Sequence, residues 1–400
     1  MRRAHRWFAM ACGLLWCAGA LAQGVQPVKV GLIAPLTGGS SDMGQSMQLA
    51  AELAVKEINA VGGYLGRPLE LVVRDDQSDP ERGRQASVEL VQQEKVAFTL
   101  GFCDSEVAQR SLDVFQEQRQ VLMVPCDTGS ALTARALRGD SYIFRLAPPD
   151  ELSARVLVGE LVDRRKLRKI AVLADRTAYG EGGLKDLTDE LAQRELKPVY
   201  VGRFDRGVRT LTEELRQARA LGSEALIVWG RGPDHATALR SRAELRWAVP
   251  YFAPPTLASR LALEGASAAL LDGAIMVQTV HHDMANERRA TFLTSYAAHA
   301  GGRKMGSLTV AAQTYDAMYL LVSAFFQARG GGGDALKQSL EALERPYRGV
   351  VTTYERPYAV KDHEAYSINM LWLSVWRGGE VQYLYPIDAQ RASVIRRKES

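Results

Sequence analysis

The chain predicts an α/β protein built as two doubly wound, parallel-sheet lobes joined by a hinge. Three observations carry this. Residues 29–80 read as strand, glycine loop, amphipathic helix and strand in direct succession. The same alternation begins again after Pro148-Pro149, and 400 residues are more than one hydrophobic core usually supports.

Residues 29–33 form a short apolar-rich run, and residues 37–41 supply turn chemistry. Met43, Met47, Ala50, Ala54, Ile58 and Val61 then repeat at helical spacing until Gly62-Gly63 stops the helix. Strands at 69–73, 97–101 and 121–124 follow, with helices at 80–94 and 105–118 between them. In the second half, strands at 169–173, 199–204, 225–229 and 250–253 alternate with helices at 179–194, 211–220 and 233–245. Right-handed crossovers between parallel strands gather the loops at the carboxyl ends of each sheet. Two such rims facing one another make a cleft. Past 273–280 the pattern turns helical at 286–299 and 309–329, and the glycines at 330–333 read as a surface linker.

Residues 1–22 have a basic start (Arg2, Arg3, Arg6), an apolar middle and the small-residue end Ala20-Leu21-Ala22, the form of a cleavable secretory signal. The apolar run is short for a membrane span. Losing it takes three arginines from the formal +4 and leaves about +1, a balance that carries no electrostatic case for nucleic acid or an anionic membrane. A soluble periplasmic protein, expected to be a monomer, follows. Cys103 and Cys126 are the cysteines left after export, at the ends of two strands. In an oxidising compartment they form either a disulfide at one rim of the sheet or two buried free thiols, as geometry decides.

The order 31–44, the helix end Lys56-Glu57-Ile58-Asn59-Ala60-Val61-Gly62-Gly63, the acidic turn Asp75-Asp76 with Asp79-Pro80, and Gln313-Thr314-Tyr315-Asp316-Ala317 resemble the periplasmic substrate-binding proteins of ABC importers. The likeness is to the branched-chain amino-acid (leucine/isoleucine/valine) binding type. It implies the type I periplasmic binding fold with a three-crossing hinge. Residues 28–147 with 281–350 would form one lobe, and 148–280 with 351–386 the other, the third crossing falling near 348–358. It also implies capture of a small carboxylate in the cleft by hinge closure, an inner-membrane ABC permease as partner, and no cofactor. The cysteine usual in that family near the second strand is absent, since Gln77 and Ser78 follow Asp76.

Gly101-Phe102-Cys103-Asp104-Ser105 ends a strand where a helix begins, and Pro125-Cys126-Asp127-Thr128 ends the next in small hydroxyl residues. A helix start offers free N–H groups to an anion, although Ser105 alone also reads as a plain N-cap. In the resemblance Ser105 and Thr128 match the side chains that grip the ligand carboxylate, so their joint loss is expected to abolish binding. Tyr179 matches the tyrosine that covers the ligand on closure, and Met43 stands where an aromatic is frequent. Arg231, set among glycines in Trp229-Gly230-Arg231-Gly232, either faces solvent or meets a second anionic group. Where amino-acid binders place an acid for the ligand ammonium, this chain reads Phe252-Ala253-Pro254-Pro255-Thr256. Either Asp104 or Asp127 supplies the charge, or the ligand is an aromatic or aliphatic acid without an α-amine.

Enzyme readings fail on particular residues. The run at 39–46 imitates P-loop spacing, but Gln45 replaces the lysine that would hold phosphates. His281-His282-Asp283 point different ways on regular structure, so no metal site is expected. No G-x-S-x-G elbow is present. A periplasmic ligand sensor feeding a membrane receptor is the alternative within binding, and a secreted α/β enzyme the alternative across classes.

Overall fold

The run VKVGLIA becomes β1 (Val28–Ala34), buried almost throughout because parallel neighbours lie on both sides of it. The computed structural model describes residues 26–283, 287–392 and 396–399; the leader expected at 1–22 lies outside them. β2 (Leu69–Asp75), β3 (Thr99–Gly101), β4 (Leu122–Val124) and β5 (Ile143–Arg145) complete a parallel sheet in the order β2-β1-β3-β4-β5. Helices α1 (Ser41–Ala60), α2 (Pro80–Val88) and α3 (Ser105–Glu117) cross between its strands. The helix expected over 80–94 ends early and continues as a π-helical turn, Glu89–Gln93.

Behind α4 (Asp150–Val158), the second lobe runs β6 (Ile170–Asp175), α5 (Ala178–Ala192), β7 (Tyr200–Phe204), α6 (Thr212–Ala220), β8 (Ala225–Trp229), α7 (Gly232–Glu244) and β9 (Tyr251–Ala253). Two short helices, α8 (Arg260–Ala266) and α9 (Ala268–Leu271), precede β10 (Ile275–Gln278). Next come α10 (Glu287–Ala300), α11 (Leu308–Gln327), α12 (Gly333–Glu341), the small hairpin β11 (Tyr347–Arg348) with β12 (Thr353–Tyr354), β13 (Trp372–Arg377), β14 (Glu380–Tyr383) and α13 (Pro386–Ala392). The second sheet has the order β14-β13-β10-β9-β8-β6-β7. Its parallel part gains two antiparallel strands: β13 runs against β10, and β14 folds back on β13. Gly378 and Gly379, both at positive φ, make that reversal a two-residue hairpin. β14 has no counterpart in the sequence reading.

Three passages join the lobes. The chain leaves the first sheet after β5 and returns after β10, where α10 and α11 pack on α1. It is still on the first sheet beyond 348–358, where the last crossing is expected. Arg145 N donates to His363 O at 2.9 Å and Ala365 N to Arg145 O at 3.1 Å.

Both lobes bring a helix start against a strand end by the same device. A Cβ on Gly44 would stand 2.0 Å from Pro35 O, and one on Gly180 2.0 Å from Asp175 O. Only glycine permits either approach, and it sets Met43 and Tyr179 at the facing rims.

Candidate ligand site between the lobes

The strand ends of the two sheets enclose a small cavity. From the first lobe it is lined by Met43, the Cys103 and Cys126 pair, Thr128, Val310 and Gln313. Tyr179, Arg231, Pro255, Thr256 and Ser259 close it from the second lobe, and Pro148 lies at the hinge. Cys103 and Cys126 are bonded to one another, their Cα atoms 4.8 Å apart. Met47 Sδ packs 3.2 Å from Cys103 Sγ.

The expected site residues divide between wall and support. Met43, Cys103, Cys126, Thr128, Tyr179 and Arg231 face the cavity; Asp104, Ser105 and Asp127 do not. Ser105 is fully buried, and its hydroxyl donates to Asp127 Oδ1 at 2.6 Å. Gly129 N donates to the same oxygen at 3.0 Å. Burial is the main force pushing the Asp127 carboxyl up to about 6, against the two hydrogen bonds. Asp104, the N-cap of α3, accepts from Ser40 Oγ at 2.7 Å and from Arg231 at 2.9 Å.

Arg231 reads from its loop as a side chain for solvent or cleft, and the structure makes it 3 % exposed. Its backbone N donates to Asp234 Oδ2 at 2.9 Å, which fixes it as the N-cap of α7. One terminal nitrogen reaches across to Asp104 and to Glu106, 3.1 Å away. The other, Nη1, is buried and has no partner. Arg206, from the loop after β7, also pairs with Glu106. With Ser130 Oγ on Asp186 at 2.6 Å and Leu261 N on Asp42 Oδ2 at 2.9 Å, these contacts hold the lobes together in a closed form.

Tyr179 OH is buried beside the hydroxyls of Thr128 and Thr256 without a hydrogen bond of good geometry. Thr256 is braced from behind. Its hydroxyl donates to Gly230 O at 2.7 Å and lies 3.0 Å from His235 Nε2, whose Nδ1 meets Tyr251 OH at 2.9 Å. Burial drops His235 to about 3, so the ring is neutral.

Sequence reasoning missed the wall given by α11 and the loop before it. Ser307, Thr309 and Gln313 line the cavity, with Gln313 Nε2 on Thr279 Oγ1 at 3.2 Å. A glutamine and two threonines inside an otherwise apolar helix were the available signal. Of the histidine pair, His281 is buried, stacks on Tyr383 and places Nε2 2.8 Å from Ser374 Oγ. Among the described residues no three His, Cys, Asp or Glu side chains are grouped to hold a metal, and no helix is long and apolar enough to cross a membrane.

Comparison with known proteins gives this geometry its setting. Residues 27–368 match the family model described as periplasmic binding protein. An "Amino acid binding protein" of Pseudomonas aeruginosa is 28 % identical over 227 residues, which is 56 % of this chain and 60 % of that protein. The chain thus spans about three fifths of that relative's length. A branched-chain amino acid transporter substrate-binding protein, LivJ of Streptococcus pneumoniae, solved with isoleucine, superposes with a TM-score of 0.76 at 20 % identity, over 89 % of this chain and 98 % of its own. An ABC-transporter solute-binding protein of R. palustris, solved with benzoate, gives 0.76 at 19 % identity, over 90 % and 95 %. The matched family model covers the first sheet and the parallel strands of the second: this chain belongs to the periplasmic binding protein family and has its type I fold.

Proposed function

We propose that the protein captures a small carboxylate without an α-ammonium, an aromatic or aliphatic acid, as the periplasmic binding component of an ABC importer. One observation carries the choice of ligand. Among the residues lining the cavity, Arg231 is the sole bearer of a formal charge, and that charge is positive. An ammonium buried here would face no carboxylate on the wall, at a cost on the order of several kcal/mol. An acid meets a buried cation and neutral donors instead. The ligand body has Met43, Val310, Pro148 and Pro255 to pack against.

The function is capture followed by closure. Ligand contacts shared between the two rims favour the closed form over the open one, and only such differential contacts shift that balance. The closed shape, with its lobes turned about the three crossings, is what the inner-membrane permease reads. Among relatives of this fold, one was solved with isoleucine and another with benzoate, so both ligand classes fit the architecture.

The test is a thermal-shift panel setting benzoate and straight-chain acids against leucine, isoleucine and valine, followed by calorimetry. A true ligand at 100 times its Kd adds about 2.7 kcal/mol of stability. Acids are expected to shift the transition, and the amino acids are not. Tighter binding of leucine, isoleucine or valine than of every acid overturns the assignment.

A further inference from the structure

We propose that Arg231, on the second lobe, anchors the ligand carboxylate, and that the hydroxyls of Ser105 and Thr128 on the first lobe do not. This rests on the acid-binding reading above and specifies how the acid sits.

The first-lobe rim has its donors spent and its acceptors in excess. Ser105 Oγ is committed to Asp127 and lies off the cavity wall. Asp104 Oδ2 and Asp127 Oδ2 are buried without hydrogen-bond partners of good geometry, and so, beside this rim at the start of the second lobe, are both carboxyl oxygens of Asp150. Asp150 sits at the start of α4, where its N–H donates to Thr128 O at 2.8 Å. Its carboxyl is pushed well above the usual carboxylate range by burial, with Asp186 and Asp127 adding to the rise. A ligand carboxylate beside Thr128 would add negative charge to carboxyl groups that burial already keeps from ionising.

The second-lobe rim, Asp150 apart, leaves donors free. The Arg231 guanidinium is held along one edge by Asp104 and Glu106, while Nη1 is buried and unpartnered on a residue that lines the cavity. A planar fork with one edge fixed and one edge free is preorganised for a carboxylate oxygen. Tyr179 OH, also buried and unpartnered, lines the same cavity and offers a second donor. The start of α7 behind Arg231 adds its dipole in the same sense.

The experiment measures benzoate and its uncharged isostere benzamide by calorimetry on the mature chain and its variants. Hydrogen bonds to a charged group contribute about 1.5–3 kcal/mol, so the wild type should prefer benzoate by roughly 10- to 100-fold. In Arg231→Gln the two affinities should converge to within about threefold, with Arg231→Lys keeping part of the preference. Ser105→Ala combined with Thr128→Val should leave the preference intact. Ser130→Ala, which loosens a lobe contact that does not touch Arg231, should weaken both ligands equally and preserve their ratio. If Arg231→Gln also weakens both ligands equally, Arg231 is only a tie between lobes and the proposal is wrong. Loss of the ratio in the Ser105/Thr128 double variant, with the ratio kept in Arg231→Gln, overturns it too. A wild type that binds leucine and no acid removes the functional reading itself, a result distinct from either.

Discussion

The two rims that face each other across the cleft are built from similar strand ends and helix starts, yet they are left with opposite needs. On the first, around Asp76, Asp104 and Asp127, the buried atoms without partners are carboxylate oxygens and the Ser78 hydroxyl. On the second, Tyr179 OH, Arg206 Nε and Arg231 Nη1 are donors awaiting an acceptor, beside carboxylate oxygens of Asp150 and Asp175. An anion therefore finds free donors at Arg231 and Tyr179 on the second rim, while Ser105 on the first is committed to Asp127. The lesson is that closure and recognition use the same arginine: one edge of Arg231 ties the lobes, and the other is free for the ligand.

Arg145 gives the widest contrast with Arg231. It too is a buried rim arginine, at the end of β5, but every edge is filled: Nε donates to Glu364 at 2.7 Å, and the terminal nitrogens reach Glu364 and Gly129 O. Removing one partner of a buried ion pair strands the other. Arg145→Met should cost about 3–5 kcal/mol of stability in urea unfolding, while the benzoate-to-benzamide ratio of the surviving fold stays unchanged. Adding Glu364→Met should restore part of the loss. A single variant as stable as the wild type would erase the distinction between a structural and a recognising arginine.

The disulfide supplies the next largest effect, also on the first rim. It closes a loop across a sequence separation of 23 residues, for which chain entropy gives about 3 kcal/mol. Cys103→Ala with Cys126→Ala should lower the urea midpoint by that scale and leave Arg231-dependent discrimination in place. If discrimination falls with the disulfide, the first rim takes part in recognition and the asymmetry argued above is too sharp.

What was legible in the sequence was whatever repeats. The strands at 69–73, 199–204 and 225–229 and the helix stripe through Met43, Met47 and Ala50 follow from period alone, and the structure keeps them within a residue or two. β5 is three residues long and offers no period to read. Site geometry was harder, because side-chain direction is decided by distant partners. Ser105 turns to Asp127, 22 positions away, and Arg231 is buried by acids 125 and 127 positions away on the other lobe. A loop arginine among glycines carries no trace of either.

The smallest predicted effect is the most direct probe of the acid-rich rim. Asp76, fully buried at the end of β2, accepts from Ser78 N at 2.8 Å through one oxygen and has no partner on the other. Burial first, then Asp104 and Asp75, push its carboxyl up to about 7, with Ser78 N–H and Arg231 opposing. A carboxyl raised in the folded state binds its proton more tightly there than in the unfolded chain, so its penalty is absent below about pH 4 and grows as pH rises through 7. The buried histidines His235 and His281, both lowered to about 3, act oppositely, and their contribution is complete once pH exceeds about 6.5. Between pH 6 and 8, Asp76 should therefore remove about 1 kcal/mol, read as the difference in urea midpoint between the wild type and Asp76→Asn, in which the histidine contributions cancel. Asp76→Asn keeps the acceptor for Ser78 N–H and should gain stability over the wild type as pH rises from about 6 to 8. Because Asp76 and Arg231 feel one another, the wild type should also bind benzoate a few-fold more weakly at pH 8 than at pH 6, and the variant should not. A pH dependence unchanged by Asp76→Asn would mean that the proton is held elsewhere and that the first rim is less crowded with charge than its geometry implies.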